Sequence, residues 1–109
     1  MANTIKVLGQ QNPSATTLTT LYTVPGSTST VTSTVVVCNR SATATSFRIA
    51  VRPGGAVISN EHYIYYDVPI AGNDTFTATI GMTLATTDVV SVYATLATLS
   101  FSLFGQESS

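Results

Sequence analysis

Between residues 31 and 52 the chain reads VTSTVVVCNRSATATSFRIAVR, and its side chains repeat with a period of two. Val31, Ser33, Val35 and Val37 fall on one side, and Thr32, Thr34, Val36 and Cys38 on the other. After a polar break at 39–44, Phe47, Ile49 and Val51 alternate with Ser46, Arg48, Ala50 and Arg52. β-Branched and aromatic residues in this alternation are a strand signature, and the break carries turn chemistry. The segment is therefore expected to form a hairpin. Its first strand is apolar on both faces near its end and belongs in the middle of a sheet. Its second strand is half-wetted through its arginines.

The rest of the chain follows the same period, and no window of useful length shows helical periodicity. Strands are expected at 4–8, with Ile5 and Val7 on one face, and at 16–23, with Leu18 and Tyr22 opposed by Leu21. Between them, 9–15 is a loop by its Gly, Asn, Pro and Ser content. Pro25-Gly26 turns the chain into the central segment. Beyond Pro53-Gly54-Gly55, 56–59 reads as a short strand and 61–68 as a stronger one. In the latter Ile64, Tyr66 and Val68 oppose Tyr63, Tyr65 and Asp67. Gly72-Asn73 suits positive φ in the next turn. Phe76, Ala78 and Ile80 point inward from 75–80 and Thr75, Thr77 and Thr79 outward. A loop at 81–88, able to hold one helical turn, leads to strands at 89–95 and 98–104. The last sets Leu99, Phe101 and Leu103 against Ser100 and Ser102, and 105–109 is read as a loose polar tail. About eight short strands at this spacing make an all-β fold, an antiparallel β-sandwich of jelly-roll or immunoglobulin-like type. With 109 residues and no internal linker, 1–109 is one domain.

Composition narrows the chemistry. Charged residues are 8% of the chain, against about 25% in ordinary soluble domains. Thr and Ser carry the polarity instead, which suits strands and gives a weakly solvated surface inclined to associate. A formal net charge of −1 leaves no electrostatic footprint for nucleic acid or an anionic membrane. There is no charged leader with an apolar run behind it and no spanning stretch, so synthesis in a cytoplasm is expected.

Catalytic constellations are hard to assemble from this inventory. His62 is the one histidine and Cys38 the one cysteine. Cys38, read as a buried small hydrophobe, has no neighbouring cation in sequence to activate it. No serine sits in a strand–turn–helix elbow. Zinc needs more His and Cys ligands than the chain has, and Asn73, Asp74 and Asp88 lack the acidic spacing of a calcium loop. No enzyme activity, cofactor or metal is expected.

The distinctive surface run is 61–67, EHYIYYD. Tyr63, Tyr65 and Asp67 on one face suit either a protein interface or stacking on a sugar ring. Set against this is a plain edge strand whose tyrosines bond locally. Arg48 and Arg52, four apart on one strand face, are candidate intersubunit ion-pair partners for Glu61 or Asp67, or simply a solvated face. Phe104, at the exposed end of the last strand, completes the expected contact set.

Taken together, KVLGQ, TTLTTLYTVP, STVVVCNRS, FRIAV, NEHYIYYDVPI, NDTFTATIGMTLATTDVVSVYA and SFSLFG resemble a family of small tailed-bacteriophage virion proteins, frequent among phages of cyanobacteria and other aquatic hosts. The resemblance covers nearly the whole chain and rests on overall pattern rather than a catalytic motif. It implies a non-enzymatic accessory component of the particle, usually a homo-oligomeric β-domain on the capsid, neck, baseplate or tail fibres. Its partners would be copies of itself, as a trimer or hexamer, and other virion proteins, without nucleic acid or membrane. The early first strand, with no long arm before it, favours tail, neck or baseplate over capsid cement. A receptor- or glycan-binding fibre module is the alternative of another class.

Overall fold

The computed structural model describes residues 2–109. These form β1 (Asn3–Gln11), β2 (Thr19–Thr23), β3 (Ser29–Asn39), β4 (Thr45–Arg52), β5 (Tyr63–Ile70), β6 (Thr75–Ala78), β7 (Thr83–Leu84), β8 (Val89–Ala94) and β9 (Leu99–Ser108), with 3₁₀ turns at Pro53–Gly55 and Asn60–His62. The strands make two packed antiparallel sheets. One has the order β1-β9-β3-β6, with β7 also on β3; the other has the order β2-β8-β4-β5. Apart from the two-residue β7, the first strand pairs with the last, the second with the next to last, and so inward to β4 and β5. A chain doubled back once and rolled up in this way is a jelly roll. An immunoglobulin sandwich keeps its first two strands side by side, whereas here β1 and β2 lie in different sheets.

This topology corrects the expected hairpin at 31–52. Both strands exist and both are central, but β3 pairs with β9, β6 and β7 while β4 pairs with β8 and β5. The polar break crosses from one sheet to the other. Asn39, buried at the end of β3, holds the crossing. Its Nδ2 donates to Thr43 O (2.9 Å) and Ala71 O (3.1 Å), and its Oδ1 accepts from Ser41 N (3.1 Å).

The sandwich interior is where alternation leads. Phe47 and Ile49 of β4, Val90 and Val92 of β8, Val35 and Val37 of β3, and Leu99, Phe101 and Leu103 of β9 are all buried. Burying each such side chain is worth about 1.5–3 kcal/mol. Phe47 meets Phe76 (ring centroids 5.1 Å apart) and Phe101 (6.0 Å), and Tyr65 meets Phe76 edge-on (5.5 Å), so aromatic rings from both sheets interlock.

Where alternation misleads, a bulge is the cause. An extra residue in one strand of a pair reverses inside and outside beyond it. The β3–β9 register shifts between Thr32 and Thr34. Thr30 and Thr32 are therefore buried before the shift, Val35 and Val37 after it, and Val31 is left in solvent. A shift between Thr20 and Tyr22 buries Leu21 and Tyr22 together, although they were expected on opposite faces. A third shift, at Leu8 between Val7 and Gly9, turns Leu8 into the core. There the sheets almost touch, since a Cβ on Gly9 would lie 2.1 Å from Leu21 O.

Three further expectations are revised. The 56–59 segment is not a strand but an irregular link between the 3₁₀ turns. The 81–88 loop holds no helical turn; it contains β7 and buries Met82 and Leu84. The presumed tail continues β9 to Ser108, paired with both β1 and β3. Among the described residues no helix is long and apolar enough to cross a membrane.

Candidate functional site

The outward face of the β2-β8-β4-β5 sheet carries the most organised set of exposed side chains. β4 and β8 pair Arg48 with Tyr93, and both alternate with buried neighbours, so both point outward. β5 reaches the same face through a distortion. Its register against β4 slips between Val68 and Tyr65 and again between Tyr65 and Tyr63. At the first slip Asp67 takes a left-handed conformation (φ 50°), which Asp tolerates better than most residues.

That slip decides which tyrosine faces out. Tyr65, expected beside Tyr63 and Asp67, instead packs inward against Phe76. Tyr66, expected on the opposite face, is 56% exposed and meets Tyr63 and Arg48. The site is thus Tyr63 and Tyr66, edge to face with centroids 4.9 Å apart, followed by Arg48 and Tyr93. The Arg48 guanidinium lies 4.2 Å from the Tyr66 ring centre and 4.3 Å from that of Tyr93. Each contact of this kind contributes about 0.5–1 kcal/mol at an exposed position.

Arg48 Nε donates to Asp67 Oδ1 at 2.6 Å. The pair expected across a subunit boundary is therefore closed within one chain. The Asp67 hydrogen bond raises the arginine pKa above its already high ordinary value, against the opposing effect of burial. Paired with Asp67 and lying over two rings, the Arg48 cation is held between Tyr66 and Tyr93. Beside it Asn60, Tyr63 and Tyr66 line an open cleft of about 440 Å³.

The remaining candidates are dispersed. Arg52 shares the outward face of β4 but turns away, and its Nη1 donates to Ala56 O (3.3 Å). Between the two arginines Ala50 and Ser91 are buried, where the 3₁₀ turns at 53–62 pack against β4 and β8. Phe104 lies on the other sheet. It is partly covered rather than a free strand end, in a row with Val7 on β1 and Thr34 on β3. The neighbouring row is Ile5, Gln106 and Val31. Ile5 is 84%, Val31 53% and Val7 48% exposed, so this outer wall shows three apolar side chains to solvent around Phe104 and Gln106.

The polar groups considered for chemistry are engaged in turns. His62 Nδ1 accepts from Ser59 N (3.0 Å) and Glu61 accepts from the Ser59 hydroxyl. That hydroxyl is the main cause holding the Glu61 carboxyl below its usual pKa. Asp88 accepts from Gly54 N and Ala85 N, both at 2.9 Å, and Asp74 from Thr75 N at 2.8 Å. Asn73, rather than Gly72, takes the positive φ of that turn. Cys38 is only half-buried, on the outward side of β3 opposite Thr75 and Ser100, not in the core. No three His, Cys, Asp or Glu residues gather into a metal-binding group among the described residues.

Sequence reading missed Tyr66 and Tyr93. The one local signal for Tyr66 was Asp67 just before Val-Pro, a residue type suited to a left-handed bulge. Tyr93 had no signal, because its role depends on pairing with Arg48. The architecture defines the class: an antiparallel jelly-roll sandwich with one aromatic–arginine wall and one apolar–hydroxyl wall. The chain matches no protein-family model, no curated protein and no solved structure.

Proposed function

We propose that this protein is a non-enzymatic accessory component of a tailed-phage particle, a homo-oligomer that joins other virion proteins at the tail, neck or baseplate. The observation that carries the reading is the outer wall of β1, β9 and β3. It displays Ile5, Val7 and Val31 to solvent in adjoining rows with Phe104 and Gln106. Exposed apolar side chains gathered on one wall of a charge-poor domain favour a surface that gains by being covered. The sequence resemblance supplies the phage context. The jelly roll is compatible with it, being common in viral capsid and lectin domains, but a fold alone assigns no function. Each contact would act by burying surface, on the order of 800 Å² per partner.

Immunogold labelling of purified particles tests the reading. Label at the tail, neck or baseplate supports it, label spread over the capsid faces moves the protein to the cement role, and particles without the protein overturn it.

A second reading, a receptor- or glycan-binding module of a tail fibre, draws on the Asn60, Tyr63 and Tyr66 cleft. An exposed tyrosine ring beside an amide is suited to stack on a sugar and bond its hydroxyls. Replacing Tyr63 and Tyr66 with Ala should then abolish adsorption to cells or polysaccharide, and an unchanged adsorption curve removes this reading.

A further inference from the structure

The free edge of β1 has a geometry of its own. Ala2 and Ser109 exchange both main-chain hydrogen bonds, at 2.8 and 2.9 Å. Bonded pairs alternate along an antiparallel ladder, so Thr4 with Glu107 and Lys6 with Gly105 are the next bonded pairs. The N–H and C=O groups of Asn3, Ile5 and Val7 therefore point away from β9. β1 is the last strand of its sheet, so among the described residues no strand pairs with them there.

Edges like this are normally guarded by shortness, bulges, proline or lysine. The other edges of this molecule are. β6 has four residues, β2 is interrupted at Leu21, and β5 is shifted twice and contains Pro69. β1 has nine residues, and 3–7 pair without interruption. Its lysine, Lys6, is held by Glu107 (3.4 Å) instead of standing free as a guard.

We propose that this edge is the interface between two copies of the chain, paired antiparallel about a two-fold axis at Ile5. The inference rests on the self-assembly part of the proposed function and names its surface. In this register Ile5 faces Ile5 of the second copy and Asn3 faces its Val7. Each is a bonded pair, so every free main-chain group of 3–7 on that edge finds a partner. Lys6 falls opposite Thr4 of the second copy rather than its lysine, and each Lys6 keeps its own Glu107. The exposed Ile5 and Val7 side chains of both copies gather on one face about the two Ile5 side chains. The axis closes the assembly at a dimer. Such a dimer can be the unit of a dihedral hexamer but not of a cyclic trimer, and it leaves the Arg48 wall free.

Sedimentation of the full chain over a concentration series, with Ile5→Pro and Ile5→Lys, tests the interface. Proline at position 5 removes an N–H that faces the open edge and so costs no bond to β9. The wild type should sediment as a dimer or an even multiple. Both variants should weaken association at least tenfold while keeping the wild-type circular dichroism spectrum. In a Cys38→Ser background, mixed Thr4→Cys and Lys6→Cys chains should form a disulfide-linked dimer on mild oxidation and neither variant alone should, since Thr4 and Lys6 of the two copies make a non-bonded pair with Cα atoms about 4.5 Å apart. Association unchanged by both position-5 variants, with no cross-link, overturns this edge and leaves self-assembly standing. A wild type that stays monomeric at every concentration overturns both.

Discussion

Two buried residues, Asn39 and Tyr22, tie distant segments together through polar side-chain atoms. Asn39 ties the end of β3 to the 40–44 crossing and to the β5–β6 turn through both of its amide atoms. Asn39→Ala strands those main-chain groups and should cost about 3 kcal/mol in urea unfolding. Asn39→Asp also removes both donors and should be comparably damaging. Tyr22 closes the other end of the sandwich. Its hydroxyl donates to Glu107 Oε2 at 2.5 Å and accepts from Thr30 at 2.8 Å. Burial, then the Glu107 hydrogen bond, push its pKa up to about 12. The unfolded chain ionises this phenol near pH 10. The stabilisation is thus whole below pH 10 and is lost as pH rises through 12. Tyr22→Phe should lower the melting temperature at pH 8, and its deficit against wild type should shrink between pH 10 and 12. A deficit constant over that range contradicts the assignment.

At the scale of the strand, bulges decide which residues reach the surface. Asp67 at φ 50° turns Tyr66 outward and Tyr65 inward, and so builds the Arg48 wall. Asp67→Asn keeps the tolerance for this conformation and loses only a half-exposed ion pair, so it should cost under about 1 kcal/mol. Asp67→Val places a β-branched residue in the left-handed region and should cost roughly 1–2 kcal/mol more. Denaturant midpoints of the two variants make the comparison, and equal losses would place the effect in the ion pair instead. β6 and β9 needed no such help. Phe76, Ala78 and Ile80 face inward as alternation predicts, and so do Leu99, Phe101 and Leu103. Neither strand carries an extra residue in its own ladder.

For the molecule as a whole, the pairing of β1 with β9 and β2 with β8 brings together residues from the two ends of the chain. Loops of that length must close before their contacts form, so refolding should take milliseconds to seconds rather than microseconds. Stopped-flow refolding checks this, and a microsecond phase carrying the full amplitude would contradict the observed topology.

Alternation by itself determined that the chain is all-β, that it makes a two-sheet sandwich, and which side chains of β4, β6 and β9 line the interior. A period of two records which residues seek the dry side, whatever strand lies alongside. Only the tertiary structure decided that β3 and β4 belong to different sheets. It also decided that Val31 is exposed and that Tyr66 replaces Tyr65 beside Arg48. The first two depend on partner strands distant in sequence, and the last two on extra residues in a strand, whose cost is offset only once the partner strand is in place.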